Sequence, residues 1–510
     1  MAGINLTSQS QSIPDINFNG GLNSTAGPLS LNNTESSSLQ NIDFSKFGSI
    51  LKRNGYTALN TSAISGSAQS DGLWWYEFIS SGAYLSKLID VTNGKLYKMD
   101  DLDATWDDIT GALTITAGNF CDFDNFLNEV YITNGVDVPF KWNGTGNGSA
   151  MTVPSGLTKA KSVRQYNNYL FLGNVVVSSV TYPSRFYWSN IKDTATWLST
   201  SFIEVSKDDG TQIIAMKVLG DRLVIFKERA IYNVIFTGSN DIPFVLQKSA
   251  SSVGCMSQFS VQEVENGLVF LSFDGFYYYD GNNSYKISDK IQSTLLGYNT
   301  SRFNQGRSAV QKNKNRYFCS LPSGSQTNND VVLVWDWLLN AWSIYSGLAV
   351  SSITTIFVSG IAERPYFGDY SGFVYRMDTG SDDYPLNVQT AINAFYYTNW
   401  KPYDDLVNQK GIPEVVVYYE TANAVVTFAY SYDFESTDTY TQTFSTATSS
   451  DVYGTGIYGT ARYAGAGGGQ QRRDLDGRGR VVRFKFANST LSETFQIDGM
   501  GSFAHLETNV

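Results

Sequence analysis

From about residue 51 the chain repeats one pattern: a short apolar strand, a turn, then a second strand carrying an aromatic residue. The first strands read AYLSKL, EVYIT, NYLFLG, RLVIF, GLVFLS, RYFCS and PYFGD, and the second read KLYKMD, PFKWNG, RFYWSN, AIYNV, GFYYYDG, VLVWDW and GFVYRMD. Tyr84, Val130, Tyr169, Leu223, Leu268, Tyr317 and Tyr366 align in the first set, and Tyr97, Phe140, Tyr187, Tyr232, Tyr278, Trp335 and Tyr375 in the second. The spacing averages about 47 residues, within the range of propeller repeats. A four-stranded blade cannot bury both of its faces alone, and stacking blades around an axis covers them. The pattern predicts an all-β fold, a β-propeller of about seven blades over residues 51–392. Six or eight blades remain open, with GYTAL (55–59) as a candidate closing strand.

Before and after this region the pattern changes. Residues 1–50 are rich in Ser, Asn, Thr and Gln, with apolar residues such as Ile13, Leu22, Leu39 and Ile42 standing singly. Such a segment predicts an extended N-terminal arm without a core of its own. Beyond residue 392, PEVVVYYE, AVVTFAYSYD, TYTQTFST, RVVRFKFA and ETFQIDGMGSF alternate as strands do. They predict a C-terminal β-sandwich over residues 393–510. A Gly-rich insert, residues 452–480, interrupts it. Its glycines argue against a regular strand and for a long exposed loop.

Composition supports many short strands. Charged residues are only 16% of the 510, while aromatic residues reach 14%. A net charge of −11 argues against general affinity for nucleic acid or anionic membrane. No stretch approaches the roughly 20 apolar residues of a membrane-spanning helix. The start MAGINLTSQSQS has neither a basic cluster nor an apolar run, so no signal peptide is expected. Cys121, Cys255 and Cys319 have no metal-ligand spacing and read as reduced, buried thiols.

Candidate chemistry is sparse. His505 is the single histidine, which excludes a multi-His metal site within one chain and reads as a surface or packing residue. YGTGIYG (453–459) contains GxGxxG at Gly454, Gly456 and Gly459, but no helix can open after it, so dinucleotide binding is not expected. DDLDATWDD (100–108) has Trp106 where a calcium loop needs Gly and reads as an acidic surface turn. No catalytic, cofactor or metal residues are assigned, and the chain reads as non-catalytic. The one concentrated charge is basic. Arg462, Arg472, Arg473, Arg478, Arg480, Arg483 and Lys485 stand against Asp474 and Asp476 in and after the insert. Arg462, Arg472, Arg473, Arg478 and Arg480 are therefore candidate contacts to a partner or to DNA, since Arg suits both carboxylates and phosphates. The bland alternative is a loop paired with acidic turns of its own or a neighbouring subunit.

Several phrases resemble the tail hub, or nozzle, family of short-tailed bacteriophages. They include Gly21–Asn23, Asn41–Asp43 and Lys52–Tyr56 near the start. They continue with GDRLVIFKERAIYNVIFTG (220–238), SVGCMSQFSVQEVENGLVFLSFDGFYYYDG (252–281), and the ending YGTARYA followed by GRGRVVRFKFANSTLSETFQIDGMG. The resemblance implies a structural virion protein, assembled in the host cytoplasm, that forms a ring of six copies below the tail adaptor. The ring would extend and close the channel for double-stranded DNA and anchor fibres or spikes, with no cofactor. The alternative is a receptor- or glycan-binding propeller module of a tail appendage.

Overall fold

The computed structural model describes residues 10–506 apart from 46, 101, 103, 104, 359, 360, 421 and 448–467. The chain divides into two compact units. One comprises residues 57–332 and 348–377, and the other residues 1–56, 333–347 and 378–510.

The first unit is the propeller. Blade 1 is an antiparallel meander of Ser70–Ser80, Ala83–Thr92, Lys95–Asp100 and Trp106–Asp108. Blades 2 to 5 repeat this order over residues 122–150, 157–204, 213–248 and 262–286. The sixth begins with the pair Arg307–Gln311 and Arg316–Leu321. The seventh orders Ser352–Val358, Ile361–Gly368, Val374–Met377 and then Tyr56–Ala58, so an N-terminal strand supplies the fourth strand of the last blade. GYTAL is thus the closing strand, and the count is seven. Closure is reinforced beyond the strand. Leu59 N–H donates to the Val374 carbonyl at 2.8 Å. The Asn60 amide donates to the Gly372 carbonyl at 3.0 Å and accepts from Val374 N–H at 2.9 Å.

Each repeated pair read from the sequence is the second and third strand of one blade. Layers of their side chains fill the spaces between blades: Ile89, Val130, Ile132 and Trp142 between blades 1 and 2, and Val224, Phe226, Leu268 and Phe270 between blades 4 and 5. Leu88, Met99, Ile356, Tyr366 and Val374 join blade 7 to blade 1. Burying each such side chain contributes about 1.5–3 kcal/mol. Tyr84 is an exception to the predicted alignment. It lies near the tip of a long hairpin and is 67% exposed.

The second unit is a β-sandwich. One sheet runs Gly468–Asp474, Lys410–Glu420, Gln496–Leu506, Ile50–Lys52, Ile42–Phe44, with Ser10–Asp15 also paired to Gln496–Leu506. The other runs Leu39–Gln40, Ala394–Tyr397, Val482–Asn488, Val425–Tyr432, Tyr440–Ser445. Val482, Phe484 and Phe486 alternate inward with exposed-side neighbours, as period-two patterning requires.

Two expectations are corrected here. Residues 10–52 are not an arm: Ser10–Asp15, Leu39–Gln40, Ile42–Phe44 and Ile50–Lys52 are strands of this sandwich, so the divisions expected at residues 50 and 392 do not mark the units. Phe18, Ile42 and Ile50 are fully buried, and Phe18 packs edge-on against Tyr396 at 5.6 Å. Single apolar residues suffice because the C-terminal strands supply the rest of the layer. Buried ion pairs fasten the segment. Lys401 Nζ meets Asp15 Oδ1 at 2.8 Å with both side chains 1% exposed, and Arg53 grips Asp383 with two bonds of 2.9 and 2.6 Å. The second correction concerns the insert. Its part within the described residues forms a strand, Gly468–Asp474, paired along Lys410–Glu420. Glycine is needed rather than disruptive at Gly469, where a Cβ would stand 2.5 Å from the Tyr419 ring. Residues 452–467 lie outside the described residues.

Candidate functional site

The first strand of every blade faces the propeller axis, and it is there that polar residues interrupt otherwise apolar sequence. A cavity of about 510 Å³ is lined by Asp71, Trp74 and Glu77 of blade 1, Asn125 of blade 2, Arg164 of blade 3, Lys217 of blade 4, Glu263 of blade 5 and Arg307 of blade 6. Arg164 pairs with Asp122 at 2.8 Å and donates from Nε to the Met216 carbonyl. Burial, then the nearby Arg164, pushes the Lys217 ammonium down to about 8. Burial raises Asp71 to about 6 against the hydrogen bonds from Gln69 and Gly118 N–H.

Arg307, of blade 6, stands between two aromatic rings. Its guanidinium lies between Phe120 and Phe259, 3.5 and 4.2 Å from the ring centres. Nε donates to the Ser351 carbonyl at 2.9 Å, while Nη2 is buried without a partner. Burial lowers this guanidinium to about 9. Beyond the two rings lies a second cavity of about 450 Å³, lined by Phe120, Lys161, Glu228, Met256, Gln258, Phe259 and Asn304 among others. A cation held between two aromatic faces is favourable, and Phe259 of this stack, with Gln258, lines both cavities.

The predicted arginines are placed differently. Arg462 lies outside the described residues. Arg472 and Arg473 project from Gly468–Asp474 and Arg478 from the short strand Arg478–Gly479, both of which pair with Lys410–Glu420, so one sheet edge gathers three of them. Arg472 is paired with Glu414 at 3.1 Å but remains 71% exposed. Arg473 donates to the Thr443 carbonyl, and Arg480 donates from Nε to the Val407 carbonyl at 3.2 Å. The edge is therefore partly engaged with its own sheet. Arg483 is held between Tyr397 and Trp400, 4.3 and 4.6 Å from their ring centres.

Other sequence candidates fall into structural roles. Asp100, Asp107 and Asp108 pair with Lys98 and Lys95 on the outer edge of blade 1, while Asp101 and Asp103 lie outside the described residues. His505 meets Phe503 edge-on at 5.3 Å. The three cysteines are free and buried. Among the described residues no three His, Cys, Asp or Glu side chains converge to hold a metal. Phe120, Lys161, Gln258, Phe259 and Arg307 belong to no recognisable sequence motif. The usable signal was a charge or amide in each blade's otherwise apolar first strand.

No family model matches the chain, and no curated protein matches it in sequence. Solved structures resemble it in fold. The structure of BBS1N in complex with ARL6DN covers 64% of this chain and 97% of its own, at 11% identity and a TM-score of 0.42. YCF48 bound to D1 peptide covers 67% and 98%, at 12% identity and a TM-score of 0.41. BamB from Moraxella catarrhalis covers 64% and 97%, at 11% identity and a TM-score of 0.38. At such distances only the fold is shared, and it is the one that the strand order itself displays: a β-propeller.

Proposed function

We propose that the chain is a structural subunit of a short-tailed phage tail, a hub or nozzle that assembles as a homohexameric ring below the adaptor. In that reading the ring extends and closes the DNA channel and anchors fibres or spikes. What supports it most is the placement of the phrases that carry the resemblance. Gly21 and Leu22 form a buried strand, Asn41 is 2% exposed and holds Arg53 Nε at 2.8 Å, and Arg53 reaches Asp383 and the Ser346 carbonyl. At Gly55 a Cβ would lie 1.7 Å from the Asp382 carbonyl oxygen. These phrases are thus joints of the sandwich, and a family sharing the joint would keep them.

Phe120, Arg307 and Phe259 stack among the residues that line the two propeller cavities. In such a ring the DNA would run through the space that the copies enclose. Six copies would carry six times the −11 of one chain. With a Debye length of about 8 Å, only residues lining that space would act on the DNA. An acidic lining would limit counterion-releasing contacts and let the DNA slide. The test is the mass of the purified chain in solution together with its presence in purified particles. A ring of six in particles is the expected result, and a monomer absent from particles would overturn the proposal.

A further inference from the structure

The second axial cavity has the makings of a binding site independent of ring assembly. Its volume, about 450 Å³, falls within the range of small-molecule pockets. Four side chains in its wall, Lys161, Gln258, Asn304 and Glu228, keep a polar atom without a protein partner. The Lys161 ammonium makes no ion pair or hydrogen bond, although Glu228 is near enough to act on it electrostatically. Gln258 is 7% exposed and donates Nε2 to the Lys161 carbonyl and Ser162 Oγ, which fixes Oε1 as an unused acceptor. The Asn304 amide, on the exposed 3₁₀ turn Thr300–Gln305, is likewise unengaged. Glu228 accepts from Gln212 at 3.1 Å through Oε1 and keeps Oε2 available.

The wall carries one cation, Lys161, and one anion, Glu228, inside a chain of net charge −11. Phe259 and Met256 add an apolar surface, while Gln258, Asn304 and Glu228 suit hydroxyl groups. A plain carboxylate would use Lys161 alone and leave the acceptors idle. A neutral sugar would leave the ammonium idle. We infer that this cavity binds an acidic sugar, its carboxylate on Lys161, its hydroxyls on Gln258, Asn304 and Glu228, and one ring face against Phe259 and Met256.

The test is calorimetric titration of the full chain with glucuronic acid, with glucose as the neutral counterpart. Saturable binding of glucuronate is expected, about tenfold or more tighter than glucose, because a hydrogen bond to a charged group is worth that much. Lys161→Met should remove the preference, Lys161→Arg should keep it, and Asn304→Ala should weaken glucuronate while leaving the preference for the acid intact. The Lys161 ammonium bonds nothing, so its substitution leaves the blade contacts in place, and circular dichroism verifies this. Should Lys161→Met nevertheless unfold, retention by Lys161→Arg and weakening by Asn304→Ala decide the matter. Absence of saturable glucuronate binding, equal binding of glucose, or indifference to these substitutions would overturn the inference. None of these results depends on whether the chain forms a ring.

Discussion

Replacing Lys401 by Met asks whether the first fifty residues belong to the sandwich or merely lie on it. Lys401 Nζ contacts Asp15 Oδ1 at 2.8 Å and Asn399 Oδ1 at 3.0 Å, with no water access to either charged side chain beyond 1%. Asp15 Oδ2 has no partner. The variant therefore strands a buried carboxylate, and removing one partner of a buried pair costs about 3–5 kcal/mol. For a unit of this size each kcal/mol moves the melting temperature by about 2–4 °C, so the sandwich transition should fall by roughly 6–20 °C. The paired variant Asp15→Leu with Lys401→Met removes both charges and should recover most of the loss, since an apolar replacement of a buried pair is close to neutral. Urea unfolding followed by hydrogen exchange of Ser10–Asp15 and Gln496–Leu506, which pair strand to strand, localises the effect. A loss below about 1 kcal/mol, or a double variant as unstable as the sum of the singles, would refute the reasoning. The segment would then be an appendage after all.

Gly55→Ala should cost about 3 kcal/mol, the upper end for overpacking, because the added Cβ would overlap the Asp382 carbonyl oxygen at 1.7 Å; thermal denaturation checks it. Asn60→Ala removes the bonds that pin the closing strand and should destabilise the propeller by about 1–3 kcal/mol, read in chemical denaturation. Asp90 gives the propeller a pH dependence. Burial first, then Asp71 and Asp369, raise its carboxyl to about 8 against the hydrogen bond from Ser70. A folded pKa above the unfolded one favours the protonated native state. The contribution is full below about pH 4 and is lost as pH rises through 8. Asp90→Asn should flatten the stability profile between those values, and an unchanged profile would sink the assignment.

The strands legible in sequence were those buried on both faces. Second and third strands such as Glu129–Thr133 and Phe140–Trp142 carry continuous apolar or aromatic runs and stood out. First strands hid because they face the axis and mix Asp71, Arg164, Lys217 or Arg307 with apolar residues. Fourth strands hid because they are short and exposed, as Ser149–Ala150 is. Tyr84 misled because its hairpin overshoots the blade. The N-terminal strands were illegible for a different reason. Their burial depends on partners more than 300 residues away, as with Phe395 opposite Gln40, and no local window contains both. The axial pocket was unreadable likewise, since Phe120, Lys161, Phe259 and Asn304 come from separate repeats.

The closing strand has a consequence for how the molecule is made. Ser10–Asp15 waits for Gln496–Leu506, and Tyr56–Ala58 waits for Val374–Met377. At roughly 5–20 residues per second of synthesis, the first strand stays without its mate for on the order of 25–100 s. Blades 1 to 5 pair only among near neighbours and can close as they emerge from the ribosome. The sandwich and the last blade cannot. A nascent chain is therefore a string of finished blades with two open ends, each a sticky edge that invites pairing with another chain. Chaperones that hold such edges, or slow dilution after release, should raise the yield of soluble protein more than any change in the blades themselves.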